Sequence, residues 1–365
     1  MVKTNQLNFQ DQKFFVGIDT HKANWKVTIR SNGMLLKTFS MNPEPKELYS
    51  YLTRTYPGGT YFSVYEAGFA GYWIHRELVA LGIKNIIVNP ADVPTTNKEK
   101  DRKSDPIDSN KLSRELSNES LTGIYVPDTY QESIRVLSRS LSQYAKRSTQ
   151  IKNRIKSLLS FSGVRCECDS KKNWSREFLK ILSEIKFKED NTAFVMKKHL
   201  EELGHIRLQR LSTLRQIRKI SKENVAIKVL RTVPGIGVIT AFALYAELVD
   251  MKRFSDLDHL ASYVGLVPST ASSDKTELVR GITLRQNINL RFMLIESAWT
   301  AVRMDPVFTK RFNDLCKRMT KNRAIIRIAK KLLSRIRSVW LNSQEYVPGT
   351  IEVISKPKKE LEIAA

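Results

Sequence analysis

The chain has 365 residues, 41% hydrophobic and 27% charged, and its 61 Lys and Arg against 37 Asp and Glu give a formal net charge of +24. That length exceeds one small core and suggests two or three domains, while the basic excess points to a polyanion, either nucleic acid or an anionic membrane surface. No apolar run approaches the ~20 residues of a membrane span, and the opening MVKTNQLNFQDQK holds no apolar signal region, so the expectation is a cytoplasmic, nucleoid-associated protein with no membrane partner.

Residues 14–40, FFVGIDTHKANWKVTIRSNGMLLKTFS, alternate apolar and polar. Asn32-Gly33 is a hairpin turn signal there, and the stretch predicts two antiparallel strands. TYFSVYEAG (60–68) predicts a third strand, AGYWIHRELVALG a helix stopped at Gly82, and KNIIVNP a short buried strand ending before Pro90. Strands alternating with a helix predict an α/β domain over residues 1–125.

Residues 126–226 predict a helical region. Leu137, Leu141, Tyr144, Ser148, Ile151, Ile155 and Leu158 step by 4 and 3, the a/d spacing of a coiled coil. The same spacing suits an intramolecular helical hairpin, and both readings stand. Residues 141–230 hold 21 basic against 9 acidic side chains, and residues 301–340 hold 12 against 2. Nearly all the positive excess therefore lies on helical segments, as a footprint for phosphates would. Cys166 and Cys168 have no second pair at finger spacing and a closed zinc site needs four ligands, so these and Cys316 read as structural.

Residues 227–345 predict a mostly helical C-terminal domain. In VLRTVPGIGVITAFALYAEL the VPGIG turn between two helical runs looks like a helix-hairpin-helix, whose glycines let backbone N–H groups approach a phosphate. A plain turn would want the same residues. Residues 346–365, with GT and KPKKE, read as a tail.

Four acids fall at informative places. Asp19 sits mid-strand in VGIDTHK, Glu66 ends a strand in VYEAG, and KSDPIDSNKL sets Asp105 and Asp108 three apart after a helix-opening proline. Positions i and i+3 are neighbours about 5–6 Å apart at Cβ. Two like charges at about 4 Å cost on the order of 4 kcal/mol at an effective dielectric near 20, which a divalent cation would offset. Taken singly, a strand-end Glu or helix-opening Asp is more often a cap or a solvated charge. Together they can converge at the strand ends and suit two Mg²⁺ (or Mn²⁺) ions about 3.5–4 Å apart, working on a phosphodiester.

GIDTHK, YEAG and KSDPIDSNKLSREL resemble the three blocks of the RuvC-like DEDD domain of the IS-110/IS-1111 insertion-sequence transposases and their relatives, the Piv-type DNA invertases. LRTVPGIGVITAFALYAEL, LASYVGLVPSTASS and GITLRQNINLRFMLIESAW are similar to that family's C-terminal transposase domain. The resemblance implies an RNase H-like (RuvC-like) first domain, with Asp19, Glu66, Asp105 and Asp108 binding metal, Asp101 outside the set and His21 as local scaffolding. It also implies a serine nucleophile after GLVP, with Ser273 the first choice and Ser272 the second. This chain departs from the family pattern at Asp274, where glycine is usual, and in LRQN, where Lys-Arg-Gly-Asn is usual.

A lone serine needs activation, so the serine domain is expected to meet the DEDD domain of the same or another protomer, with Arg280, Arg285 and Arg291 available to hold the scissile phosphate. The implied partners are donor and target DNA, a structured non-coding guide RNA and further copies of the chain in a dimer or tetramer. The competing reading is a metal-dependent nuclease or Holliday-junction resolvase, which uses the acids and water but no serine.

Overall fold

A computed structural model describes residues 8–96, 105–164, 174–273, 276–283 and 286–349, with backbone alone for 269–281. It divides into two compact units, Met1–Val126 and Pro127–Ala365.

The first unit is built on five strands, β1 (Lys13–Thr20), β2 (Trp25–Ser31), β3 (Met34–Met41), β4 (Thr60–Glu66) and β5 (Lys84–Val88), ordered β3-β2-β1-β4-β5. The first three form an antiparallel meander, and β4 and β5 run parallel to β1. Parallel pairing needs crossovers, and helices α1 (Pro45–Thr55) and α2 (Trp73–Ala80) lie in them. Period-two alternation sends Phe14, Val16 and Ile18 of β1 and Trp25, Val27 and Ile29 of β2 into one core with Leu48, Leu52, Ile74 and Leu78 from the two helices.

Helix α3 (Asp105–Ser117) packs on the sheet through small residues. A Cβ on Gly17 would stand 2.1 Å from the Ser109 carbonyl oxygen, so only glycine lets the helix lie this close. The hydroxyls of Thr28 and Ser109 are 2.9 Å apart, and Arg30 Nε donates to Asn110 Oδ1 at 3.2 Å. These contacts fix the register of α3 on β1 and β2.

The expected pair of strands over 14–40 is corrected to three. Asn32 and Gly33 do make the hairpin turn, with φ of 49° and 75°, but it joins β2 to β3. The other break, between β1 and β2, is closed by the His21 N–H donating to the Asn24 carbonyl at 3.2 Å. It contains neither glycine nor proline to mark it.

In the second unit the long helices α4 (Thr129–Phe161) and α6 (Asp190–Glu223), linked through α5 (Arg176–Glu184), pack along one another. Ile151, Ile155 and Leu159 meet Met196, Leu203 and Ile206 in a satellite core, while Leu141 joins Ile217 in the main one. The heptad-spaced residues are thus buried inside the chain, as the hairpin reading has it.

The main core gathers α7 (Val225–Leu230), α8 (Val238–Leu248), α9 (Leu257–Val264), α10 (Ile288–Met304), α11 (Pro306–Cys316) and α12 (Lys321–Asn342). Strands β6 (Pro268–Ser273) and β7 (Thr276–Ile282) form an antiparallel hairpin between α9 and α10. A mixed α/β sheet followed by a mostly helical remainder is the expected fold class at that level.

The VPGIG turn joins α7 to α8, and its two glycines differ. Gly235 has φ of 80°, and a Cβ there would stand 2.3 Å from the Ser297 carbonyl oxygen, so it serves packing against α10. Gly237 faces open space at the start of α8. In the expected tail, Tyr346 is anchored, its N–H donating to Thr232 Oγ1 at 2.8 Å and its hydroxyl to Asp305 Oδ2 at 2.7 Å. Residues 350–365, and Cys166 and Cys168, lie outside the described residues, while Cys316 is a half-buried thiol. Among the described residues no helix is long and apolar enough to cross a membrane.

Candidate active site

Ile18 pairs with Tyr65 across the parallel strands, so the residues that follow, Asp19 and Glu66, stand at the same carboxyl end of β1 and β4. Ligands of open α/β sheets gather at that end. Helix α3, seated on Gly17, brings Asp105 and Asp108 there in its first turn, where the helix dipole favours acidic groups. The four acids read from the sequence therefore come together; Asp101 lies outside the described residues.

They come together in two halves. In one, His21 Nε2 lies 3.2 Å from Asp19 Oδ2 and 3.6 Å from Asp105 Oδ2, and one donor atom from each of the three falls within 4.8 Å of the others. Two carboxylates and an imidazole make a fitting donor set for a divalent cation. In the other half, Lys111 Nζ lies 3.5 Å from Glu66 Oε1 and 3.3 Å from Asp108 Oδ1, with the lysine side chain only 8% exposed. Burial pushes the Asp19 carboxyl above its ordinary value. The charge of His21 and its hydrogen bond pull it back, while Asp105 and Asp108 add to the upward push.

His21, expected as scaffolding, thus offers a ligand atom beside Asp19. Its signal was the i, i+2 spacing in DTH, which puts both side chains on one side of an extended chain. Lys111 was not singled out at all. Its i, i+3 relation to Asp108 was readable, but its contact with Glu66 depends on the tertiary fold.

In the second unit, Ser273 ends β6 opposite Thr276, and Ser272 stands opposite Glu277. Of the three arginines expected to hold a phosphate, Arg280 lies on β7 and Arg285 outside the described residues. Arg291 is engaged structurally, since its Nη1 donates to the carbonyls of Gly265 at 3.3 Å and Thr283 at 3.1 Å, closing the base of the hairpin. Asn287, the asparagine of LRQN, caps α10 by accepting from the Leu290 N–H, and its Nδ2 donates to Glu247 Oε2 at 3.0 Å.

Glu247, buried on α8, also takes a two-pronged bond from Arg139, Nε to Oε1 at 2.8 Å and Nη2 to Oε2 at 3.0 Å, with Arg135 Nε 3.5 Å away. One carboxylate therefore ties α4, α8 and α10 together at the foot of the serine-bearing hairpin. Sequence reasoning missed this cluster.

Residues 16–162, spanning the sheet, α3 and α4, match a family model described as DEDD_Tnp_IS110, Transposase. Residues 227–313, from α7 into α11, match one described as Transposase IS116/IS110/IS902 family. The chain is thus a DNA transposase. The chain is 26% identical to y4rJ of Sinorhizobium fredii over 380 residues, covering 92% of this chain and 94% of the relative. It is 30% identical to y4qE of the same organism over 240 residues, covering 65% and 57%. The transposase for insertion sequence element IS1111A of Coxiella burnetii is 26% identical over 290 residues, covering 77% and 78%. The chain belongs to the IS110 family of insertion-sequence transposases.

Proposed function

We propose that the first unit is a RuvC-like DEDD domain in which Asp19, Glu66, Asp105 and Asp108 hold divalent metal, Mg²⁺ or Mn²⁺, and that Ser273 of the second unit is the nucleophile. The observation that carries the metal reading is the convergence of four carboxylates at the ends of β1 and β4 and the start of α3. The Asp19 carboxyl, raised first by burial and further by Asp105 and Asp108, is compatible with it, because burial takes from its ionised form the water that would otherwise balance the charge. A bound divalent ion would supply that balance and polarise the phosphodiester.

Ser273 Oγ forms a bond to phosphorus as the bond to a sugar oxygen breaks. The hydroxyl proton is given up and the departing oxygen takes one, so the phosphodiester is conserved for rejoining. The resemblance of GLVPSTASS to the family's C-terminal block supports a serine there, and the placement of Ser273 at a strand end is compatible with it. Donor and target DNA are the substrates. A structured guide RNA, a dimer or tetramer, and a phosphate seat at Gly237 are consistent with the basic helices and complete the proposal. Such work takes place in the cytoplasm, at the nucleoid.

The experiment is strand transfer with denaturing electrophoresis. Asp105→Asn should lower Mg²⁺-dependent processing by about 100-fold or more while leaving DNA binding intact. Ser273→Ala should keep DNA binding and lose the protein–DNA adduct. Cleavage at the parental rate by Asp105→Asn sinks the metal assignment. An adduct retained in Ser273→Ala but lost in Ser272→Ala moves the nucleophile one residue back. Recombination by the double variant favours the metal-only resolvase.

A further inference from the structure

The metal reading treats the four carboxylates as one set, yet the geometry divides them with a lysine. Lys111 projects from α3 one turn after Asp108, and its ammonium reaches across to Glu66 on β4. A lysine this buried loses most of its hydration, a cost offset only when opposite charge is close at hand. Both of these carboxylate neighbours are members of the acidic set. The remaining two, Asp19 and Asp105, face His21.

We propose that Lys111 is a positioning residue that occupies the Glu66–Asp108 half of the site as a built-in cation, so that the DNA-free protein takes up one divalent ion, on Asp19, His21 and Asp105. This rests on the metal reading above and deepens it. Charge supports it: with His21 neutral, as a metal-bound imidazole is, the four carboxylates and the one ammonium that lies against them among the described residues leave three negative charges. One divalent ion reduces these to a single negative charge. A second would turn the cluster positive, and an arriving phosphodiester, with its one negative charge, is what restores neutrality. Without Lys111, two divalent ions alone would balance the four carboxylates, and no DNA would be needed. The ammonium therefore ties the second ion to substrate: a phosphate competes for Lys111 and releases Glu66 and Asp108.

The test counts Mn²⁺ bound to the full chain without DNA, by the loss of the free-ion paramagnetic resonance signal and by calorimetry. Wild type should bind one ion, Lys111→Arg one, and Lys111→Met two. Lys111→Gln repeats the last arm should the methionine variant fail to fold, which circular dichroism reports. An arm that leaves the lysine in place is independent of these. Asp19→Asn should weaken the single ion at least tenfold, the scale of losing an interaction at a metal centre, whereas Glu66→Gln should change it far less. Two ions on wild type, one on the Lys111→Met and Lys111→Gln variants, or equal losses from Asp19→Asn and Glu66→Gln would each overturn the proposal. No Mn²⁺ bound by wild type would instead sink the metal reading on which it rests.

Discussion

The two units each contain a carboxylate-centred ionic cluster, and the clusters differ in the sign of their imbalance. In the first unit, among the described residues, four carboxylates gather with one buried ammonium, which pairs with two of them, and the surplus is negative. In the second unit a single buried carboxylate, Glu247, meets two guanidinium groups and an asparagine amide. Glu247 has spent both oxygens on named donors, whereas Asp19 and Asp105 share one imidazole nitrogen between them. A cluster whose charges are paired fixes helices, while one left short of cations is open to a metal ion. Buried charge alone does not mark a reactive site; the sign and size of the imbalance do.

The largest effect that would break this contrast is on Glu247. Glu247→Gln removes the charge on which Arg135 and Arg139 converge, and stripping one partner from a buried pair costs about 3 kcal/mol or more. For a unit of this size that is a fall in the midpoint of thermal unfolding of roughly 6–12 °C. Added Mn²⁺ should restore none of it. Recovery by metal, or a midpoint at the wild-type value, would mean that the Glu247 cluster is not the structural tie it is taken for.

How much of this could be read beforehand differs between the clusters for a physical reason. Asp19, Glu66, Asp105 and Asp108 were legible because each stands at a recognisable point of a local pattern: mid-strand, strand end and helix start. The sheet and one helical crossover were legible from the same period-two and helical signals. The turn at His21–Asn24 was not, since it uses neither glycine nor proline. Lys111 and Glu247 were hidden for another reason. A lysine in a helix and a glutamate in YAEL look like ordinary helical residues until the fold supplies Glu66 for one and Arg139, 108 positions upstream, for the other. The role of Gly235 was hidden likewise, because the backbone it approaches belongs to α10.

A smaller effect sharpens the structural side of the contrast through pH. Tyr346 donates to Asp305, a buried acid that also caps α11, and burial with that bond pushes its hydroxyl up to about 12 from 10.0. A group whose value is raised in the folded state stabilises below its unfolded value and loses that contribution as pH rises through the folded one. The loss should therefore fall between about pH 10 and 12. Tyr346→Phe should cost about 1 kcal/mol at neutral pH, the scale of one hydrogen bond, with the gap to wild type closing across that window. A gap that widens with alkalinity would reverse the assignment.

The smallest effect separates the two arginines of the Glu247 cluster. Arg139 makes the shorter bonds, at 2.8 and 3.0 Å, but its side chain is 53% exposed, whereas Arg135 is 9% exposed and 3.5 Å from the carboxylate. If distance ruled, Arg139 would matter more. Exposure works the other way, since water and salt already screen the outer guanidinium and replace it when it is cut away. Removing it also leaves Glu247 with one guanidinium and the Asn287 amide, so the charges become balanced. Arg139→Ala should therefore cost less than about 1 kcal/mol, with a cost that shrinks further at high salt. Arg135 also donates to the carbonyls of Ala246 and Glu247, so Arg135→Ala should cost more and respond less to salt. Chemical unfolding of the two variants at low and high ionic strength ranks them. The opposite ranking would mean that bond length, not burial, governs this cluster, and the contrast with the acidic site would then need a different basis.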